Sequence, residues 1–152
     1  MQKLFTQNLI GLLLSLFVCL PSYAAQKEAP LPDTFAENKV VLQISDSDPF
    51  KQTLVLNVAG NLQRYYGEQN VDIEVVAFGP GVRLMFDGNA NTDRINNLIA
   101  HGVRFSACEN TIDNMAKKLG HKPKIQNSVT TVPAGAGRIL QLNKAGWQIL
   151  KP

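Results

Sequence analysis

The sequence has few of the residues that build metal sites, disulfide frameworks and cofactor loops. Its 152 residues include two cysteines and two histidines, which are too few and too widely separated for a zinc site. It lacks the GxGxxG fingerprint of dinucleotide-binding folds and the Walker-type phosphate loop. No serine, histidine and aspartate follow one another in an order typical of a hydrolase triad. We therefore predict neither a metal nor a cofactor, and the sequence leaves open whether the protein is an enzyme.

The chain also lacks an apolar run long enough for a comfortable membrane span, which needs about 20 residues. The longest such run, at residues 9–20, is preceded by Lys3 and followed by the small residues of Ser22-Tyr23-Ala24. This arrangement is typical of a secretory signal peptide. We predict that residues 1–24 are removed on export to the periplasm or the exterior, with no membrane association afterwards. The alternative is an uncleaved anchor.

Strong charge of one sign is absent as well. Cleavage would leave 128 of the 152 residues, enough for one domain, and the loss of Lys3 would reduce the net charge from +3 to +2. We expect the densest cationic patch to be a solvated helix end, where positive charge suits the helix dipole. It consists of Lys117, Lys118, His121, Lys122 and Lys124. The sequence therefore predicts no nucleic-acid partner.

Cysteine is also scarce, and its scarcity limits the chemistry that the mature chain can perform. Cys19 would leave with the signal peptide, so Cys108 would be the only cysteine of the mature chain. An intramolecular disulfide is then excluded. A lone cysteine in an exported protein is a buried inert thiol, an intermolecular bridge or a reactive group. A redox sensor would need a second cysteine from a partner or a neighbouring subunit.

Alternating apolar segments and turn signals predict an α/β domain over residues 39–152. A polar segment with two prolines, residues 25–38, precedes it and is interpreted as a flexible arm. Strands are predicted at residues 40–45, 71–78, 103–107, 128–132 and 147–150. Helices are predicted to begin at Asp48-Pro49, at Thr92, after a cap at Asn110 or Thr111, and at Pro133. This order indicates a mostly parallel sheet with helices on both faces.

One apolar segment shows neither the alternation typical of a strand nor the spacing typical of a full helix. Leu84, Met85 and Phe86 lie between the second strand and the second helix. They could form one helical turn over a pocket or a subunit contact, or they could be a packed loop.

In a parallel sheet the loops that follow the strands share one edge, where ligands usually bind. Cys108 ends the third strand and precedes a helix, whose dipole and free N–H groups would stabilise a thiolate. Glu109 would oppose that effect if its carboxylate faced the sulfur. Asp46, after the first strand, is a turn residue or a supporting side chain. Two glycine-rich loops, Gly79, Gly81 and Arg83 after the second strand and Gly135, Gly137 and Arg138 after the fourth, could hold an anion or could simply be flexible.

At these residues the sequence resembles the DsrE/DsrF-like family of small α/β proteins of the sulfur-relay type. The resemblance runs from about Val40 to Pro152. It is carried by "VVLQIS" with "DSDPF", "VVAFGPGVRLMF", "GVRFSACENT" and "VPAGAGRILQLNKAGWQILKP". The resemblance implies a three-layer α/β/α sandwich of about five strands, assembled as a homotrimer or hexamer.

The resemblance also implies a role for Cys108. Better-understood members of the family carry sulfur as a persulfide on one cysteine, and the match assigns that role to Cys108 with Asn110 and Thr111 in its flanking motif. A sulfur donor or acceptor protein is then an expected partner. The predicted export departs from the relay members, which are cytoplasmic. The alternative function is a non-enzymatic oligomeric binding or assembly module in which Cys108 is structural.

Overall fold

The computed structural model describes residues 27–152, so the predicted signal peptide lies outside the described residues. Within that range the strands are β1 (Asn38–Ile44), β2 (Val71–Ala77), β3 (Arg104–Cys108), β4 (Thr130–Val132) and β5 (Gln148–Leu150). The helices are α1 (Pro49–Tyr66), α2 (Thr92–Ala100), α3 (Glu109–Leu119) and α4 (Gly135–Lys144), and a 3-10 helix covers Gly79–Met85. Every helix in this range is too short or too polar to cross a lipid bilayer.

The described strands form one parallel sheet in the order β4-β3-β2-β1-β5. The chain steps in one direction from β1 to β4 and then returns past β1 to β5. Because crossovers between parallel strands are right-handed, this reversal places α4 on the opposite face from α1, α2 and α3. The prediction of a three-layer α/β/α sandwich is confirmed.

The two faces of the sheet carry separate hydrophobic clusters. Val40, Leu42 and Ile44 of β1 join the larger cluster, which packs against α1, α2 and α3. Val41 points the other way and joins a smaller cluster with Ile139, Leu142 and Trp147. Successive strand residues point to opposite faces, so β1 supplies both clusters. We call these surfaces the three-helix face and the α4 face.

The start of α1 follows the sequence prediction. The Phe50 N–H donates to Oδ1 of Asp48 at 2.8 Å, and Pro49 is the first helical residue. A carboxylate at this position satisfies one of the N–H groups that have no partner inside the helix. Proline loses nothing at the first position, because its missing N–H would be unpaired there.

The predicted cap of α3 is wrong. The helix begins at Glu109 and its N-cap is Cys108, because β3 runs into α3 without an intervening loop. The Asn110 N–H donates instead to the Pro133 carbonyl at 3.2 Å. The Thr111 hydroxyl accepts a hydrogen bond from the Gly79 N–H at 3.0 Å. Both residues therefore join α3 to neighbouring loops and do not cap the helix.

The apolar segment between β2 and α2 is packed inside the chain. Leu84 and Met85 are fully buried in the larger cluster, and Phe86 packs partly buried against it. The Gln126 N–H donates to the Met85 carbonyl at 3.0 Å, and the Gln126 side-chain amide donates to the carbonyls of Leu84 and Phe86, each at 3.2 Å. Of the interpretations left open for this segment, a subunit contact through Leu84 and Met85 does not fit, since their side chains fill the core of their own chain.

The described part of the predicted N-terminal arm contacts α4. The Arg138 guanidinium donates to the carbonyls of Ala29 at 3.1 Å and Pro30 at 2.9 Å. The Gln141 side-chain amide donates to the same Ala29 carbonyl at 2.8 Å. We call residues 28–31 the strap, because these contacts hold the segment across α4.

Candidate functional site

The loops that follow β1 to β4 meet at the carboxyl edge of the sheet. The Phe78 N–H, after β2, donates to the Ile44 carbonyl of β1 at 3.1 Å. Gly79 is joined to Thr111 of α3, and Asn110 to Pro133 after β4. Hydrogen bonds thus connect the end of β1, the segments after β2 and β4, and the start of α3 into one surface, in which the β3 end lies between the ends of β2 and β4.

Cys108 is the residue of this edge with nucleophilic chemistry. It is the last residue of β3 and is 6% exposed. Phe105 and Ala107 point to the three-helix face, so alternation along the strand directs Ser106 and Cys108 to the α4 face. Among residues 27–152 it is the free cysteine. The thiol is therefore enclosed beneath α4.

Gly135 brings the first turn of α4 directly onto Cys108. A methyl group added at Gly135 would lie 3.2 Å from Cβ of Cys108 and 2.9 Å from Cβ of Phe78. The second distance is shorter than carbon atoms tolerate, so glycine is needed there for the close approach. Ala134, the N-cap of α4, has no side-chain oxygen to cap the helix. The N-terminal end of α4 is thus uncapped next to Cys108.

Two helix N-termini therefore converge on one thiol. Cys108 is the N-cap of α3, and its Cβ packs under the first turn of α4. Each helix N-terminus carries a partial positive charge from its aligned peptide dipoles. Cys108 thus lies beside the positive ends of the α3 and α4 dipoles. The sequence predicted the contribution of α3, whereas that of α4 follows from the tertiary packing.

Glu109 lies at the surface and faces a lysine. Its carboxylate is 3.7 Å from Nζ of Lys122, which also lies 3.1 Å from Asp113. The carboxylates of Asp113 and then Glu109 raise the pKa of Lys122 above its usual value. The side chain of Glu109 is 43% exposed, while the thiol is buried. Its charge is therefore directed toward Lys122 and solvent.

Asp46 lies at the same edge but away from the thiol. Its Oδ2 is 2.5 Å from Nζ of Lys51, and its Oδ1 accepts from the Asp48 N–H at 3.0 Å. The hydrogen bond from Lys51 lowers the pKa of Asp46. Two strand spacings, about 10 Å, separate β1 from β3. Asp46 thus organises the turn before α1 and does not belong to the immediate surroundings of Cys108.

Packing and backbone conformation explain why glycine occupies two positions of the 3-10 helix after β2. A methyl group at Gly81 would lie 2.5 Å from the Ile44 carbonyl oxygen, so this loop packs tightly on the end of β1. Gly79 has a φ of 52°, which glycine adopts readily. Arg83 follows on the 3-10 helix, and its side chain is exposed. Gly137, on α4, lines a cavity of about 120 Å³ with Val132, Pro133 and the strap.

Arg138 is directed into the α4 face of the sheet. Its Nε and Nη2 donate to the two carboxylate oxygens of Glu74 at 2.8 and 2.9 Å, and both residues are buried. The Ser106 hydroxyl donates to the same carboxylate at 2.7 Å. Arg104 forms an ion pair with Asp72, and its guanidinium lies over the Trp147 ring. Arg138 thus joins α4, the sheet and the strap.

This buried network is absent from the sequence prediction. Asp72 and Glu74 stand in a strand whose seven residues are all buried. Acidic residues within such an apolar strand are a usable signal, because buried carboxylates require partners. Their partners could not be identified, since Arg138 is 64 residues from Glu74. Within residues 27–152, no cluster of three or more histidine, cysteine or acidic side chains could hold a metal ion.

The fold and the site define a parallel α/β/α protein with a buried cysteine at the carboxyl edge of its sheet. The chain is similar to a protein of unknown function, MTH1491, from Methanobacterium thermoautotrophicum, with a TM-score of 0.68 and 28% identity over 76% of this chain and 100% of that one. It is also similar in fold to a conserved protein of unknown function, BT1422, from Bacteroides thetaiotaomicron, with a TM-score of 0.54 and 17% identity over 76% and 95% of the two chains. No family model and no curated protein matches the sequence. The function must therefore be argued from the site.

Proposed function

We propose that this protein is an exported sulfur carrier of the DsrE/DsrF-like type, which holds a persulfide on Cys108. The observation that carries the proposal is the position of Cys108 at the N-terminal ends of both α3 and α4. A helix N-terminus stabilises an anion placed beside it, and the thiolate is the form of cysteine that attacks sulfur. Glu109 does not counteract it, because its carboxylate is paired with Lys122.

The proposed transfer needs no cofactor. The Cys108 thiolate attacks the outer sulfur of a donor persulfide, R–S–SH. A new S–S bond forms, the old S–S bond breaks, and its electron pair leaves with the donor as R–S⁻. Cys108 then carries the outer sulfur and its proton as a persulfide. An acceptor thiolate reverses these steps and leaves Cys108 as the thiolate.

Residues near Cys108 have supporting roles in this proposed step. Asn110 and Thr111 hold the start of α3 against the loops after β4 and β2 through their hydrogen bonds to Pro133 and Gly79. Arg83, which is exposed, could attract an anionic donor to the edge of the sheet. Arg138 is engaged with Glu74 and the strap, so we assign it to the attachment of α4.

The proposal includes location and assembly. Cleavage after Ala24 would release the protein to the periplasm or the exterior, and the mature chain would begin at Ala25. Assembly as a homotrimer or hexamer, with a donor or acceptor protein as a further partner, remains part of the proposal. Its subunit contacts must use surfaces other than Leu84 and Met85, which are buried in the core.

Sulfur loading tests the function directly. The mature protein is incubated with glutathione persulfide and its intact mass is measured. We expect the wild type to gain the mass of one sulfur atom, and Cys108→Ser to gain none. Reduction with dithiothreitol should remove the added sulfur. An unchanged wild-type mass, or an equal gain in Cys108→Ser, would contradict the proposal.

The second candidate is a binding or assembly module in which Cys108 is only structural. The observation that favours it is the burial of the thiol, which is 6% exposed. A free cysteine often behaves as a small buried hydrophobic residue. This candidate predicts that Cys108→Ala preserves both the stability and the assembly of the protein, and that the wild type takes up no sulfur.

A further inference from the structure

A groove between α1 and α2 lies on the three-helix face, opposite the α4 face to which Cys108 points. Its volume is about 320 Å³, which falls within the usual range for small-molecule sites. Gly60 and Leu98 lie at its apolar part, while Arg64 and Arg94 stand on the two helices. No residue of the loops around Cys108 lines this groove, so it is a separate site.

The two arginines of the groove have no acidic partner among residues 27–152. Arg64 is hydrogen-bonded to the side-chain oxygen of Asn61, and Arg94 to that of Asn57. No carboxylate of the described chain lies within ion-pair distance of either guanidinium, including that of Glu68 on the same groove. A guanidinium has five N–H donors, so each arginine retains donors for an anion. The groove therefore presents two positive groups with unused hydrogen-bonding capacity.

Gly60 has no structural reason to be glycine. It lies in the interior of α1, where glycine destabilises a helix relative to alanine. Its φ is not positive. A methyl group there would lie 3.8 Å from Nη1 of Arg64 and 3.9 Å from Cδ2 of Leu98, both ordinary contacts. The glycine thus leaves open a space that alanine could fill without strain.

We propose that the α1–α2 groove binds a small organic carboxylate. The planar guanidinium groups of Arg64 and Arg94 match a carboxylate by paired, charge-assisted hydrogen bonds. The apolar surface at Gly60 and Leu98 accommodates the carbon chain of the ligand. Gly60 sets the depth of the groove, which accounts for a glycine that lowers the stability of α1.

Calorimetric titration with succinate tests the proposal, with sodium chloride of equal ionic strength and inorganic phosphate as comparisons. We expect succinate to bind the wild type. Arg94→Gln or Arg64→Gln should weaken binding about tenfold or more, because each removes hydrogen bonds to a charged group. Lys118→Gln is the matched control, since Lys118 is an exposed cation on α3 outside the groove, and it should leave binding unchanged.

Gly60 provides variants that keep the fold. Gly60→Ala should raise the melting temperature and weaken succinate binding, and Gly60→Leu should abolish binding. Absence of succinate binding to the wild type, or equal binding by the arginine variants, would overturn the proposal. Binding of phosphate without succinate would overturn the carboxylate assignment. Loss of an oligomer in Gly60→Leu, seen by sedimentation, would identify the groove as an interface between copies and would also overturn it.

Discussion

At the scale of single residues, the site depends on how closely Gly135 approaches Cys108. The first turn of α4 can lie on the thiol only because position 135 has no side chain. The same contact buries the sulfur and brings a second helix dipole to it. One close contact thus accounts both for the burial of Cys108 and for the position of the α4 N-terminus beside it.

Gly135→Ala should disrupt this contact. The added methyl would overlap Phe78 and press on Cys108, so we expect the free energy of unfolding to fall by about 1–3 kcal/mol. Urea denaturation measures the change. Gly137→Ala is the matched control, because its methyl would meet only Cβ of Ala134 at 3.5 Å, an ordinary contact. Equal stability of the two variants would show that the close packing at position 135 is not required.

Glu74 is important for stability, because its carboxylate neutralises the buried guanidinium of Arg138. Glu74→Gln would leave the guanidinium without its paired charge, and we expect a loss of about 3–5 kcal/mol in the free energy of unfolding. Asp46→Asn is the surface control, since the pair of Asp46 and Lys51 is exposed and should contribute little. Thermal unfolding of both variants provides the comparison. A loss in Glu74→Gln no larger than in the control would contradict a stabilising role for this pair.

At the scale of elements, α4 differs from the other helices. Among the helices of residues 27–152 it is the one on its face of the sheet, and its attachment combines the contact of Gly135, the ion pair of Arg138 and the strap. Cys108 lies beneath the first turn of this helix. Any reagent or partner of the thiol would therefore reach the sulfur most directly if that turn moved outward.

Removal of residues 25–31 should increase access to Cys108. The deletion takes away the strap carbonyls that accept from Arg138 and Gln141, so α4 loses part of its attachment. We expect faster labelling of the thiol by iodoacetamide under native conditions, with the ordered domain retained by circular dichroism. Gln141→Ala should give a smaller increase in the same direction. An unchanged labelling rate in the deletion variant would show that the strap does not control access.

The helices also show what the sequence could and could not predict. Asp48-Pro49 marked the start of α1 correctly, because this signal acts within one turn of the helix. The start of α3 was misplaced because its first turn is satisfied by the Pro133 carbonyl, a partner that lies 23 residues away from Asn110 along the chain. Local signals carry no information about such a partner.

At the scale of the whole molecule, the alternation of strands and helices was sufficient to predict the parallel sheet. The strand order was not predictable, and it determines which face α4 covers. Because the chain reverses direction between β4 and β5, the first turn of α4 lies on the face to which Cys108 points. The convergence of two helix N-termini is therefore a property of the topology.

The topology also separates two surfaces that the sequence did not distinguish. Cys108 lies under α4, while the groove with Arg64 and Arg94 lies between α1 and α2 on the other face. Their separation means that variants of one surface can be tested without altering the other. The Cys108→Ser protein should therefore retain succinate binding while it loses sulfur uptake.

The proposed function requires that Cys108 reacts in the folded protein, which the rate of thiol labelling measures. Iodoacetamide labelling of the mature protein at neutral pH is compared with the rate of global unfolding, measured separately in denaturant and extrapolated to water. We expect labelling that is clearly faster than global unfolding, through local movement of the first turn of α4. Labelling only at the rate of global unfolding would contradict it and would leave Cys108 as a packed core residue.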